Sequence, residues 1–594
     1  MSRRWTAALA TGTLVQVACT IGTAFATAMI VRAAPAVARD GAAASTWSSA
    51  VRGAWLLGGL FGVRVLAIHG AGLSARVLAR RLDQTLRERV IGAALLPAGV
   101  AHFEDAELKG AFSSARNLSP LGLSPGAAAS NIGWCFGRRL EMVCYVVIFA
   151  FYSWPIALGM AVVFVLGNAE MYRLLMTQIL NSRFVLPPAG PAYYRDLSVL
   201  PAAAKEVRVF ALGDWLRERY STGQGAYLQK AWSKRRFVSL STVIALGASG
   251  AMTLISLSYF GLAAIRGAID AGDFTLLVMA TFSLTPPAIP QDVALVYGTR
   301  VIPQITNAEA IAHRQRQAES EGTATAPKSV SSIDFRGVSF RYPNAEADVL
   351  RDVDLHLRAG EVTALVGVNG VGKTTLIKLL CGFHRPSGGH ILIDGVDATE
   401  FDRRDWYRRL AVLFQDFVHY EMSIRDNVEL GHAADGAQLD SVAAASGALG
   451  FVERLPGGWS TPLATHLENG AELSGGEWQR LALARALSAV ERGARVLVLD
   501  EPAASLDVRA ESALNERLVQ FAHATPQRSS LVVLLVSHRL STVRRADRIV
   551  VLDDGGVVED GTHDQLIGLG GHYAALFDAQ AARYRADAAS EALS

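Results

Sequence analysis

Residues Phe237–Ile265 run for 29 positions without a charged side chain. A helix of about 20 apolar residues crosses a bilayer core of about 30 Å, so a run this long reads as a membrane span. Ala7–Val31 is a second such run, with Arg3 and Arg4 just before it. A signal peptide has a shorter apolar core and a small-residue cleavage site, so a retained first helix is expected. Phe274–Gln291 adds 18 uncharged residues, interrupted by Pro286, Pro287 and Pro290. That predicts a kink whose freed backbone groups neighbouring helices satisfy. Met142–Ala169 is uncharged for 28 residues but contains Tyr-Ser-Trp-Pro at 152–155. It reads as the end of one helix, a turn with an interfacial Trp, and most of the next helix. The earlier of the two starts near Ala128 and carries Arg138, Arg139 and Glu141 on its cytoplasmic side. A further span lies around Ser49–Leu73, with Arg64 near its middle. Six membrane helices are expected.

Composition agrees. The 594 residues are 51% hydrophobic and 19% charged, which excludes a disordered or fibrous chain. Lys+Arg 57 against Asp+Glu 54 gives +3, too balanced for a nucleic-acid binder. The balance hides a split: 30 basic and 18 acidic residues up to Thr325 (+12), then 27 and 36 (−9). Cys19, Cys135, Cys144 and Cys381 show no CxxC or ligand-like spacing, so neither a disulfide framework nor a zinc site is indicated. Only 7 of the 57 basic residues are Lys, an Arg bias that fits GC-rich bacterial codon usage.

Arginines crowd the connections 74–127 and 170–236 and are sparse near 33–48, 153 and 266–273. Positive residues stay inside, so both termini are expected in the cytoplasm of a multi-pass protein of the bacterial cytoplasmic membrane. Ser74–Leu95 and Ala203–Tyr227 read as amphipathic continuations of spans into the cytoplasm. The expected division is a membrane part over 1–312, a linker over 313–328 and a soluble part over 329–594.

In the soluble part, the strand-length run Val362–Val366 leads directly into Gly367-Val368-Asn369-Gly370-Val371-Gly372-Lys373-Thr374-Thr375 and then an apolar helix. This is a phosphate-binding loop in its required strand–loop–helix context. Its glycines let backbone N–H groups converge on phosphates at a helix N-terminus. Lys373 supplies a point charge and Thr374 a hydroxyl for Mg²⁺. Further on, Arg495-Val-Leu-Val-Leu-Asp500-Glu501 is a hydrophobic strand ending in two acids. Asp500 is expected to hold Mg²⁺ and Glu501 to polarise the attacking water.

Leu473-Ser474-Gly475-Gly476-Glu-Trp-Gln-Arg480 resembles the signature sequence of ABC transporter ATPases. Matching pieces lie around it in the family's order. Tyr342 resembles the aromatic that stacks on adenine, and Gln415 the Q-loop glutamine, which also reaches the metal. Glu468-Asn-Gly470 resembles the loop before the signature, Ser505-Leu-Asp507 the D-loop, and His538 the switch histidine. The resemblance implies an α/β P-loop NTPase with an ABC helical subdomain, fused to six membrane helices with cytoplasmic extensions: an exporter half-transporter. It implies ATP and Mg²⁺ as ligands, and Glu501, His538 and Gln415 as catalytic groups. It also implies a head-to-tail dimer in which Ser474, Gly475, Gly476 and Asp507 complete the partner's ATP site. A homodimer is expected, with a heterodimer of related half-transporters as the alternative. The helix tips His102–Glu107 and Gly213–Arg217, with Phe103 and Trp215 among charges, fall where the family places its coupling helices.

Only six residues precede the first span, so no leader-cleaving peptidase domain is expected there. Phe414–Tyr420, Lys205–Gly213 and Asn469–Gln479 resemble bacterial exporters of lanthipeptides, which makes a peptide or peptide-like metabolite the expected cargo. A lipid or hydrophobic drug is the alternative, and a regulatory ATPase that moves nothing a more distant one. Arg138 and Arg139 read as snorkelling residues, one neutralised by Glu141 or Glu170. Arg64 has no acid within a helical turn, so it is expected to face the central passage and meet an anionic group on the cargo.

Overall fold

The computed structural model describes residues 3–43, 45–100, 103, 124–180, 189–200, 203–235, 240–284, 293–319, 322–342, 345–432, 436–503, 514, 517, 530–537 and 539–580. They form two compact units that divide at Ile311/Ala312, with residues 95–100 belonging to the second.

The first unit is helical: α1 (Arg3–Asp40), α2 (Trp47–Leu95), α3 (Pro125–Tyr152), α4 (Trp154–Leu180), α5 (Ala189–Val199), α6 (Ala204–Val209), α7 (Gly213–Arg235), α8 (Leu240–Ile265), α9 (Ala271–Ser283) and α10 (Val293–Glu319). By length and composition α1, α2 and α8 can each cross a membrane, and Trp154–Glu170 and Ala271–Ser283 are shorter apolar helices. These are the apolar candidates among the described residues, where six spans are expected; α3 carries Arg138, Arg139 and Glu141 within its length. At 1.5 Å per residue the 49 residues of α2 extend about 73 Å, far beyond a bilayer core of about 30 Å.

Helix ends follow local chemistry. Ser124 caps α3 by accepting from the Ala127 N–H, and Pro125 opens the helix without an orphaned donor. Asp83 of α2 accepts from the Ser124 hydroxyl at 2.6 Å and from the Gly126 N–H at 2.7 Å, which fixes where α3 begins. Ser153 is extended and ends α3, so the Tyr-Ser-Trp-Pro turn is present. Small residues allow close helix approach, as packing in lipid requires. A Cβ on Gly272 would lie 2.3 Å from the Ala28 carbonyl oxygen. Arg32 of α1 holds Asp270 and Asp273 at 2.6 and 2.5 Å, and the Tyr152 hydroxyl donates to Asp273.

Two expectations need correction. The extension over Ala203–Tyr227 is not one helix: it breaks at residues 210–212, where Ala211 takes a left-handed φ of 51°. The stretch 313–328 is not all linker, because α10 continues through Glu319. Its Gln, Arg and Ala residues favour helix, and only the later Gly-Thr-Pro region lacks it. The prolines at 286, 287 and 290 lie outside the described residues, as does tip 102–107 except for the exposed Phe103. Trp215 is half-exposed, packed edge-on by Tyr194 and overlaid by Arg219.

The second unit is α/β. Its strands are β1 (Ser332–Phe340), β2 (Leu350–Arg358), β3 (Val362–Val366), β4 (Gly388–Ile393), β5 (Val396–Asp397), β6 (Leu410–Leu413), β7 (Val496–Asp500), β8 (Val532–Val536), β9 (Arg548–Asp553) and β10 (Gly556–Gly561). One sheet is antiparallel in the order β2-β1-β4-β5, and the other runs β10-β9-β3-β8-β7-β6. In the second, only the β10 edge is antiparallel. β7 and β8 are buried at every position, as strands covered on both faces must be. The helices here are α11 (Lys373–Leu380), α12 (Arg403–Tyr407), α13 (Ile424–Glu429), α14 (Gly436–Ser446), α15 (Leu449–Arg454), α16 (Gly475–Glu491), α17 (Leu540–Val543) and α18 (His563–Leu569). α16 anchors a separate apolar cluster through Leu481, Leu483 and Leu487. Within this unit Arg404 donates to the carbonyls of Leu95 and Leu96, and the Tyr407 hydroxyl to that of Ala98.

Candidate active site

Ligands of open α/β sheets bind beyond the carboxyl ends of the parallel strands, and three such ends meet here. β3 delivers the phosphate loop, β7 delivers Asp500 and Glu501, and β6 delivers Gln415. A cavity between them is lined by Asn369, Gly370, Gly372, Lys373, Thr374, Thr375, Gln415, Asp500 and Glu501. Residues far apart in sequence thus converge on one cavity.

The loop has the conformation its glycines permit. Gly372 sits at φ 110° as the N-cap of α11, and a Cβ on Gly367 would lie 2.3 Å from the Leu552 carbonyl oxygen. Any larger residue at 367 must displace backbone. Lys373 is buried and donates two of its three ammonium hydrogens to the carbonyls of Gly367 and Val368, at 2.8 and 2.9 Å. Burial pulls its pKa below the ordinary lysine value, against the opposing pull of Glu501 and Asp500.

Opposite the loop lies concentrated negative charge. Burial, reinforced by the charge of Glu501, pushes Asp500 up to about 6, although Thr374 and Lys373 act the other way. The Thr374 hydroxyl donates to Asp500 at 3.4 Å, and the Gln415 amide to Glu501 at 3.3 Å. A hydroxyl, a buried carboxylate and an amide oxygen are hard donors that suit Mg²⁺. Among the described residues no group of three or more His, Cys, Asp or Glu could hold a metal ion, so phosphate oxygens would have to complete the shell. The residues fit a nucleotide that arrives with its cation.

Tyr342 stands nearby, its hydroxyl 3.3 Å from that of Thr375 and its ring 5.4 Å from the Lys378 ammonium. Ser474, Gly475 and Gly476 do not line the cavity; they open α16, where Ser474 and Glu477 form a reciprocal capping box. Burial acts to raise Glu477, but hydrogen bonds from Ser474 and the charges of Arg454 and Arg480 outweigh it and hold the carboxylate below its ordinary range. Asn469, in the loop before the signature, takes a left-handed φ of 57°. Asp507 and His538 lie outside the described residues.

Two features escaped the sequence reading. Glu501 has a left-handed φ of 52°, and its carbonyl accepts from the Gln479 side chain at 2.9 Å. His419 stacks face to face on Trp478 at 4.3 Å. No spacing rule links these positions; each is a long-range pairing.

Residues 350–504 match the family model described as ABC transporter. An ATP-dependent lipid A-core flippase of Xanthomonas euvesicatoria is 32% identical over 472 residues, covering 76% of this chain and 75% of the relative. A protein of the same name from Alkalilimnicola ehrlichii is 42% identical over 250 residues, 42% of this chain and 40% of that one. The solved structure of a bacterial Atm1-family ABC exporter with ATP bound superposes with a TM-score of 0.72 at 22% identity, covering 98% of this chain and 99% of that one. These relatives give no support to the lanthipeptide subgroup. The fold is that of an ABC exporter, a helical membrane part joined to an ATPase domain, and the chain belongs to the ABC transporter family as an exporter that couples ATP hydrolysis to transport.

Proposed function

We propose that the chain pairs with a second copy and uses ATP to move an amphiphile with an anionic headgroup, a lipid, out of the cytoplasmic leaflet, with both termini in the cytoplasm. The observation that carries the cargo reading is Arg64. It is half-buried in α2, and its Nε is buried and has no hydrogen-bond partner among the described residues. Arg138 of α3 pairs with Glu141 at 3.5 Å, and Tyr145 lies within electrostatic reach of Arg64, Arg138 and Glu141. Arg64 is 17 residues past Trp47, and Arg138 is 14 before Tyr152, so they lie about 26 and 21 Å from those helix ends, within a turn of each other in depth. A charged donor at that depth is costly unless it pairs or faces water, and an anionic headgroup would satisfy it. The names of the relatives point to lipid as well.

The relatives give the peptide reading no support, and two of the segments that suggested it, 414–420 and 469–479, meet where His419 stacks on Trp478.

At the nucleotide, the N–H groups opening α11 and Lys373 would hold the phosphates, and Tyr342 the base. Bound Mg²⁺, held by Thr374, Asp500 and Gln415, would offset charge on the transferred phosphoryl group. Glu501 would orient and polarise the attacking water, and His538 would serve as the switch histidine. Ser474 and Gly475, both exposed, with Gly476 and Asp507, would act on the partner's nucleotide.

The cargo reading is tested by ATPase stimulation of reconstituted protein with a phosphorylated lipid, the same lipid without its phosphate, and a cationic peptide. Stimulation by the phosphorylated lipid alone supports it. Stimulation by the peptide and neither lipid sinks it.

A further inference from the structure

Glu501 is a non-glycine residue in the left-handed region, at φ 52°. Such a conformation persists only where the surroundings over-determine it. Two main-chain hydrogen bonds do so here. The Glu501 N–H donates to the Val536 carbonyl at 2.9 Å, and the Glu501 carbonyl accepts from Gln479 Nε2 at 2.9 Å. Gln479 is only 3% exposed, and a buried amide needs partners of this kind.

Gln479 stands on the second turn of α16, the helix whose N-terminal end carries Ser474, Gly475 and Gly476. The same helix grips the segment that follows Gln415. Trp478 stacks on His419 with the rings 2° from parallel, and Arg485 donates to the Val418 carbonyl at 3.3 Å. One rigid helix therefore touches the backbone of Glu501 and the loop that carries Gln415.

We propose that Gln479 is a positioning residue for hydrolysis: by holding the Glu501 carbonyl it fixes the backbone from which the carboxylate is aimed, and it ties that aim to the placement of the signature helix in the same subunit. The proposal rests on the reading of Glu501 as the group that orients water. Removing the donor leaves the phosphate loop intact, so the effect falls on turnover and not on ATP binding.

The test uses the full-length protein in lipid nanodiscs with Mg-ATP. Gln479→Met keeps the volume and loses the donor; at pH 8 its kcat should fall about tenfold with the KM for ATP unchanged. Gln479→Glu should lose as much at pH 8, where the ionised carboxylate opposes a carbonyl. Protonation restores a donor, and burial raises that carboxyl's pKa, so the ratio of its kcat to that of the unaltered protein should climb toward one at pH 6. A purely packing role would not make that ratio depend on pH. If Met fails to fold, the Glu ratio decides alone. Wild-type kcat in the soluble variants at pH 8, a changed KM with unchanged kcat, or a Glu ratio equal at both pH values overturns the proposal. Glu501→Gln serves as the control: normal turnover there sinks the reading of Glu501 itself, and a dead control beside normal Gln479 variants sinks only the role of Gln479.

Discussion

The side-chain amide of Gln415 donates to the Glu501 carboxylate at 3.3 Å, joining the ends of two neighbouring parallel strands. Both groups line the cavity that also holds Lys373 and Thr374. Glu501→Gln keeps the shape and the phosphate cradle but removes the base. It should bind ATP with unchanged affinity while kcat falls by about 10²-fold or more, in the range general-base catalysis contributes. Equilibrium nucleotide binding and steady-state ATPase on one preparation check this, and normal turnover would remove Glu501 from the chemistry.

Lys373 and Ser474 should act on different nucleotides. Lys373 lines the cavity and Ser474 does not, so Lys373→Ala should weaken ATP binding in its own subunit and Ser474→Arg should block the proposed site in the partner. Mixed dimers of the two single variants keep one intact composite site, whereas either homodimer keeps none. Co-reconstituted subunits should recover part of the ATPase activity that each variant lacks alone. Equal hydrolysis by monomer and dimer would contradict the shared site.

Asp500 sets a pH dependence. With its carboxyl pushed up to about 6, it is protonated in the native state below that value, while an unfolded carboxyl stays ionised down to about 3.8. Between those limits the native state binds the extra proton, so this group favours folding as pH falls and loses that contribution as pH rises through 6. Catalysis runs the opposite way, because Mg²⁺ must displace the proton. The Mg²⁺ concentration for half-maximal ATPase should rise about tenfold per unit below pH 6 and stay flat above 7. A requirement independent of pH between 5 and 7 would contradict the placement of Asp500 at the cation.

Much of this site was legible because short motifs report local backbone. The loop from Gly367 to Thr375 names its own strand and helix, and Asp500-Glu501 marks a strand end. The helix break at Tyr-Ser-Trp-Pro was legible for the same reason. What the chain order concealed depends on tertiary packing. Nothing in the sequence around Gln479 says that its amide meets a carbonyl 22 residues on. His419 and Trp478 lie in segments that resemble lanthipeptide exporters, and the fold stacks them on each other. The break at 210–212 rests on one left-handed alanine, a residue with high helix propensity.

Arg64 carries the expectation about cargo. Arg64→Ala should abolish stimulation of ATPase by a phosphorylated lipid, and Arg64→Lys should keep part of it, since an ammonium supplies the charge without the planar fork. Each variant is compared with its own unstimulated rate. Full stimulation in both would leave Arg64 a structural charge of α2.

Transport itself is the most direct measurement. Proteoliposomes carrying a labelled phosphorylated lipid would be given Mg-ATP, with translocation read by chemical quenching of the exposed label. The unaltered protein should move lipid between leaflets only when ATP is hydrolysed, and Glu501→Gln should move none beyond the protein-free rate. Movement that is independent of ATP, or equal in Glu501→Gln, would contradict an ATP-driven lipid exporter.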